Sequence, residues 1–216
     1  LQGAQSRPRF FKSDFLEFIH MSNDQTLSRR FGAAEVKVPA DELFSAWFKQ
    51  QLGMTVNVGR DVPSIGAVWP GEGGVNGGLG RKEDGTPEWL IVPPIKVGYF
   101  KEVTYGGYGK DVPGAASWYD GRANTAALLA AGDAYQAARK CSDLSHEGHA
   151  DYFLPAKLQL AQVYASLHGV IPKEWVLSST QYSANHAWSQ HFYSGDTTFW
   201  DEDDKAGALA VRSISF

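Results

Sequence analysis

The sequence predicts an α+β domain: two helices packed on antiparallel sheets with long loops, preceded by an N-terminal extension. Three observations predict it. A glycine-crowded stretch from Gly66 to Gly80 runs into an acidic turn at Glu83-Asp84-Gly85 and an apolar segment Glu88–Val92, the pattern of a hairpin. Two segments, about 124–140 and 156–167, carry a helical period. From Trp175 onward the residues alternate in short runs separated by turn signals.

Residues 1–63 read as an attachment or oligomerisation segment, ahead of a ligand-binding domain at 64–216, with the boundary at Val62-Pro63-Ser64. Ser13–Met21 fits a short helix or a strand. A helix is expected at 41–52, where Leu43, Phe44, Trp47, Phe48 and Leu52 share a face, Asp41 and Glu42 suit its first turn, and Gly53 stops it. That face packs on its own domain or on another subunit. The start of the chain has no Met and no apolar leader, as expected of a fragment or a processed chain.

The glycine-rich stretch is not a phosphate loop, because no Gly-Lys-Ser/Thr and no helix start follow it. From Ile95 to Tyr119 the chain reads as irregular, with one short strand near Val97–Phe100 and with Tyr105, Tyr108, Trp118 and Tyr119 to pack it. Gly132 is expected to split 124–140 into two helices. In Ala156–Leu167, Leu160, Val163, Tyr164 and Leu167 form the buried stripe, with Pro155 at its start. A meander follows: Trp175–Ser179, Ala187–Phe192, Thr197–Trp200, a charged turn at 201–205, and a last strand Leu209–Ile214.

Composition excludes several classes. A net charge of -4 lacks the basic face of a nucleic-acid binder. No apolar run reaches the roughly 18 residues of a membrane span, so no membrane insertion is expected. The lone Cys141 cannot form an intrachain disulfide. There is no Gly-x-Ser-x-Gly elbow. His146-Glu-Gly-His149 lacks the zinc-protease spacing, so a loop is the better reading than a metal site. No carboxylate pair stands out for glycosidase work, although distant residues can supply one.

What remains is an unusual density of rings in the last third. Tyr182, Trp188, Phe192, Tyr193, Phe199 and Trp200 are interleaved with Ser, Thr, Asn, Gln and His. Rigid aromatic anchors among adaptable hydrogen-bonders suit a half-buried sheet and also a binding surface.

Several word-like motifs occur in a fixed order: GAVWPGEGGVNGGL, DVPGAASWYDGRANTAALLAAG, GHADYFLPAKLQLAQVY, VLSSTQYSANHAWSQHFYSG and a closing LAVRSI. Over residues 64–216 this order resembles the Lcl-type C-type-lectin-fold domain of bacteriophage tail-fibre and receptor-binding proteins. That domain shares its fold with retroelement-diversified variable proteins and formylglycine-generating-enzyme-like domains. Its most specific matches here are Leu154-Pro155 with Leu160, the Ser178-Ser179-Thr180 run ahead of Tyr182 and Trp188, and Val211-Arg212.

The resemblance implies a C-type-lectin-like fold and a non-enzymatic receptor-binding (adhesin) module, at a tail-fibre tip on the virion or on a bacterial cell surface. The implied partners are a host cell-surface polysaccharide or outer-membrane protein, and other fibre subunits in a homotrimer. The copper-dependent enzymes of the fold use cysteine pairs, which a single Cys141 cannot supply. The implied contact positions are Tyr182, Asn185, His186, Trp188, Gln190, Phe192, Tyr193, Thr198 and Trp200. Alternation lets only about half of a strand face out. It places Trp188 and Phe192 on the core side and favours Tyr182, Asn185, His186, Tyr193 and Trp200, at turns and strand ends, for contact. Calcium lectins place an acidic segment where Asp201-Glu202-Asp203-Asp204 stands, but their Glu-Pro-Asn or Gln-Pro-Asp triplet and Trp-Asn-Asp are missing here. A solvated turn is the expectation, and calcium on Asp201, Asp203 and Asp204 is the lesser reading. The rival functions are a structural virion component without receptor contact and a polysaccharide-degrading enzyme.

Overall fold

The computed structural model describes residues 20–21, 26–31, 34–39 and 62–215. The chain forms two compact units, Leu1–Arg60 and Asp61–Phe216. In the first, β1 (His20–Met21), β2 (Thr26–Phe31) and β3 (Ala34–Pro39) make an antiparallel sheet, with β2 and β3 in register from Thr26↔Pro39 to Phe31↔Ala34. The helix expected at 41–52 lies outside the described residues.

The second unit is α+β, with four helices rather than two. One sheet contains β4 (Val68–Trp69), β5 (Gly74–Arg81), β6 (Pro87–Val92) and β12 (Arg212–Ser215), in the order β12-β6-β5-β4 and antiparallel throughout. The other contains β7 (Tyr99–Thr104), β8 (Trp175–Ser183), β9 (His186–His191), β10 (Thr197–Asp201) and β11 (Lys205–Leu209). Its order is β10-β9-β8-β11-β7. The helices are α1 (Ile95–Gly98), α2 (Gly121–Ala131), α3 (Gln136–Ser142) and α4 (Lys157–Leu167).

Three expectations about this unit are corrected. Residues 95–98 form a helical turn, held by Val97 and Gly98 N–H groups on the Pro94 carbonyl, and the strand begins only at Tyr99. The expected last strand is two strands in two sheets. Ala210 and Val211 cross between them, anchored by Ala210 N–H on Gly98 O and by the Phe153↔Val211 bridge. The meander is also incomplete, because β11 enters the sheet parallel to β8, at Gly207↔Val176 and Ala208↔Leu177.

In the five-stranded sheet, β8 and β11 are covered on both faces. Neighbouring residues divide between two cores, as a side-chain period of two requires. Leu177 and Ala208 join Tyr105, Leu128, Tyr135, Ala138 and Cys141 under α2 and α3. Val176 and Leu209 join Leu160, Val163, Leu167, Phe153 and Phe192 under α4. The stripe read from α4 is therefore the buried one, with Tyr164 only partly covered.

Two glycines set how closely these layers meet. A Cβ on Gly121 would lie within 2.7 Å of Gln159 Oε1, Ala156 N and Leu154 O, so only glycine lets α2 start against the entry of α4. Gly106, at φ +88°, passes against the Ala134 carbonyl with no room for a side chain. Asp120 caps α2 through the Ala123 N–H, and Gly132 at φ +136° ends it, separating α2 from α3 as the sequence predicts.

Candidate functional site: an aromatic platform at the sheet edge

Tyr182, Trp188 and Phe199 come from three adjacent strands and meet on one face at the β10 edge. Phe199 pairs directly with Trp188 across β9 and β10. Tyr182 occupies a bulge: Gln181 pairs with Ala187 and Ser183 with His186, which leaves residue 182 unpaired and turned outward. Its ring stacks on Phe199 at 5.1 Å with planes 9° apart, and meets Trp188 edge-on at 5.2 Å. Trp118 extends the group, 6.0 Å from Trp188. Trp118, Tyr182 and Phe199 are 45%, 53% and 48% exposed, so each offers about half of its ring to solvent. A contiguous exposed aromatic patch is uncommon on a monomer surface and marks a contact site.

The polar neighbours are held in place. His186 lies 5.1 Å from Phe199, with Nε2 at 3.2 Å from Asp201 Oδ1 and Nδ1 at 3.1 Å from Ser183 Oγ. Lys157, the first residue of α4, lays its ammonium 3.2 Å above the Trp188 ring and 3.9 Å above Trp118. Burial among these rings lowers its pKa. Among the described residues no carboxylate lies within ion-pair distance of it.

The support for Trp118 is a buried asparagine. Asn124, in α2, receives the Ser117 N–H on Oδ1 and donates Nδ2 to Ser117 O, to Ser179 Oγ and to Thr180 Oγ1. Thr180 Oγ1 also accepts from Lys157 N, and Trp118 O accepts from Leu158 N. The Ser178-Ser179-Thr180 run is thus structural: it joins β8, the 117–118 loop and the start of α4 in one network. Asn124→Leu should lower stability by about 2–4 kcal/mol, because several buried polar groups lose their partner. Urea unfolding checks the loss.

The structure sorts the residues expected at the site. Tyr182, His186 and Trp188 converge on the platform, and Asn185 sits in the adjoining turn with its carbonyl taken by Glu202 N–H. Trp188 was expected on the core side; it is instead half-buried in the platform, while Phe192, expected beside it, is buried against Tyr164. Gln190 is buried, with both amide ends engaged by Gly195 O and Thr197 Oγ1. Thr198 pairs with Ser189 and Trp200 with Ala187, so both point to the opposite face. Trp200 packs on the core under α2 and α3 and 5.5 Å from Trp175. Tyr193 is 68% exposed but stands apart, near Lys173 and His191. Phe199, Trp118 and Lys157 were absent from the expected set. Only the alternation of β10 could have pointed to Phe199, and nothing local distinguishes Trp118 or Lys157.

The acidic segment is not wholly solvated. Glu202 is 0% exposed and accepts from Gln181 Nε2 at 2.9 Å. Burial pushes its pKa up; the Gln181 bond opposes this, the charges of Asp203 and Asp111 add to it, and the result is about 7. Asp201 is engaged with His186, and Asp204 N–H closes a turn on Asp201 O. Among the described residues no group of three His, Cys, Asp or Glu is placed to hold a metal ion. His146 and His149 form a two-residue bridge in which His149 Nε2 contacts Gly71 O.

No family model matches the chain, and no curated protein matches it.

Proposed function

We propose that residues 64–216 are a non-enzymatic receptor-binding module with a C-type-lectin-like fold, of the kind carried at a phage tail-fibre tip, which recognises a host cell-surface glycan or protein through the Trp118–Tyr182–Trp188–Phe199 platform. The observation that carries this reading is the stacked Tyr182–Phe199 pair, half-exposed beside two tryptophans and a lysine that has no carboxylate partner among the described residues. Ring faces stack on the apolar faces of sugars or fill pockets of a protein, while His186 and Lys157 supply oriented polar contacts. A single site of this size binds weakly, and a homotrimeric fibre raises its avidity through effective concentration.

The test is binding of the chain, displayed multivalently, to host-type cells and to their extracted surface polysaccharide. Tyr182→Ala/Phe199→Ala, confirmed folded by circular dichroism, should weaken binding at least tenfold, since two anchor rings are removed. Binding unchanged in the double variant sinks the platform. If instead the variant binds normally but no longer assembles into oligomers, the rings are a subunit contact and the structural virion reading replaces this one. Shortened polysaccharide after incubation would establish a degrading enzyme.

A further inference from the structure

A second site lies apart from the platform. A cavity of about 230 Å³ opens between the Pro87–Val92 and Arg212–Ser215 strands and the start of α2. That is the space of about eight waters at roughly 30 Å³ each, enough for a monosaccharide or an amino acid. Glu88 lines it and is 2% exposed.

The orientation of its neighbour is fixed. Gln159 Oε1 accepts from both Gly121 N and Ala156 N, so Gln159 Nε2 must be the donor to Glu88 Oε1, at 2.6 Å. The other Glu88 oxygen has no hydrogen-bond partner among the described residues, and no cation lies within ion-pair distance of the carboxylate. A carboxylate removed from water without a counter-charge is costly. The Tyr119 and Phe153 rings wall the cavity, and each carries a guanidinium: Arg81 at 4.1 Å from the Tyr119 ring and Arg122 at 4.8 Å from the Phe153 ring. Lys82 and Arg122 line it too. Asp120 lines the cavity as well, half-buried and with Oδ1 taken by the Ala123 N–H, so Glu88 is the buried acid of the two.

We propose that this cavity binds a small molecule carrying a primary ammonium, which docks on the free oxygen of Glu88 between the two rings and turns its hydroxyl or carboxylate groups toward Lys82 and Arg122. Amino sugars and amino acids share that chemistry. This site is independent of the receptor-binding reading, and either can fail without the other.

The test follows backbone amide shifts of the full chain during titration with glucosamine, with serine and with N-acetylglucosamine. Saturable shifts at Glu88, Tyr119 and Ser213 are expected with glucosamine or serine, and whichever responds names the source. N-acetylglucosamine, which lacks the charge, should bind at least tenfold more weakly than glucosamine, or not at all if serine is the responder. E88Q should weaken binding of the responder at least tenfold, while Tyr182→Ala/Phe199→Ala leaves it unchanged. Should E88Q not fold, Ser213→Trp fills the cavity from its strand and must abolish the shifts. No saturable shift from either ammonium probe at tens of millimolar, equal binding of the acetylated sugar, or binding that survives Ser213→Trp overturns the proposal.

Discussion

Replacing Arg212 by methionine should lower the stability of the second unit by about 3–5 kcal/mol, the cost of removing one partner of a buried ion pair. Arg212 is 8% exposed. Its NH1 donates to Glu72 O and, at 2.7 Å, to Glu72 Oε2, and its Nε donates to Asp151 Oδ1 at 2.8 Å. One guanidinium therefore ties the turn between β4 and β5 and the 151–153 segment to β12. Burial would raise the Asp151 pKa, but the Arg212 bond and the charges of Arg212 and Arg122 outweigh it and hold the pKa below the usual carboxylate range. A depressed carboxylate contributes stability above its unfolded pKa that is lost as pH falls through the folded one. Acid unfolding of the methionine variant should thus begin at higher pH than that of the parent, as read by near-ultraviolet circular dichroism.

Glu202→Gln should have the opposite effect in the opposite pH range. The folded pKa of about 7 lies above the ordinary 4.5, so the folded state favours the protonated acid. Stability from this group is complete below pH about 4.5 and is lost as pH rises through about 7. At roughly 1.4 kcal/mol per pH unit between the two values, the loss reaches about 3 kcal/mol. The glutamine variant keeps an acceptor for Gln181 without the charge. It should match the parent in acid and exceed it by up to about 3 kcal/mol at pH 8, measured by urea unfolding at both pH values. Equal stability at pH 8 would mean that the buried carboxyl is solvated or paired within the fold.

Both groups were beyond the reach of sequence reading, for the same reason. Glu202 looks like one of four surface acids until Gln181, two strands away, is seen to donate to it from the interior. Arg212 looks like the charged end of a strand until Glu72 is brought to it. What could be read was local: the Leu160, Val163 and Leu167 stripe, the Asp84-Gly85 turn, and the break at Gly132. Strand parity was legible but its register was not. Trp200 is favoured in sequence as a strand-end residue, but its pairing with Ala187 turns it away from Tyr182, whose own outward turn depends on a bulge that no pattern announces. β11, Lys205-Ala-Gly-Ala-Leu, was invisible because its small residues serve a central position between β8 and β7, where large alternating side chains would not fit. The platform itself was half legible. Its strand residues stand together in sequence, whereas Trp118 and Lys157 reach it only through the Asn124 and Thr180 network.

The parallel insertion of β11 has a consequence for how the protein is made. The place between β8 and β7 in the five-stranded sheet is empty until residues 205–209 arrive, and the other sheet lacks an edge until residues 212–215 pair with β6. A nascent chain emerging from the ribosome therefore carries β7 and β8 unjoined, with Leu177 and Val176 uncovered, through synthesis of some thirty further residues. Closure is a late event dominated by distant pairings, which are slow and leave strand edges open to other chains.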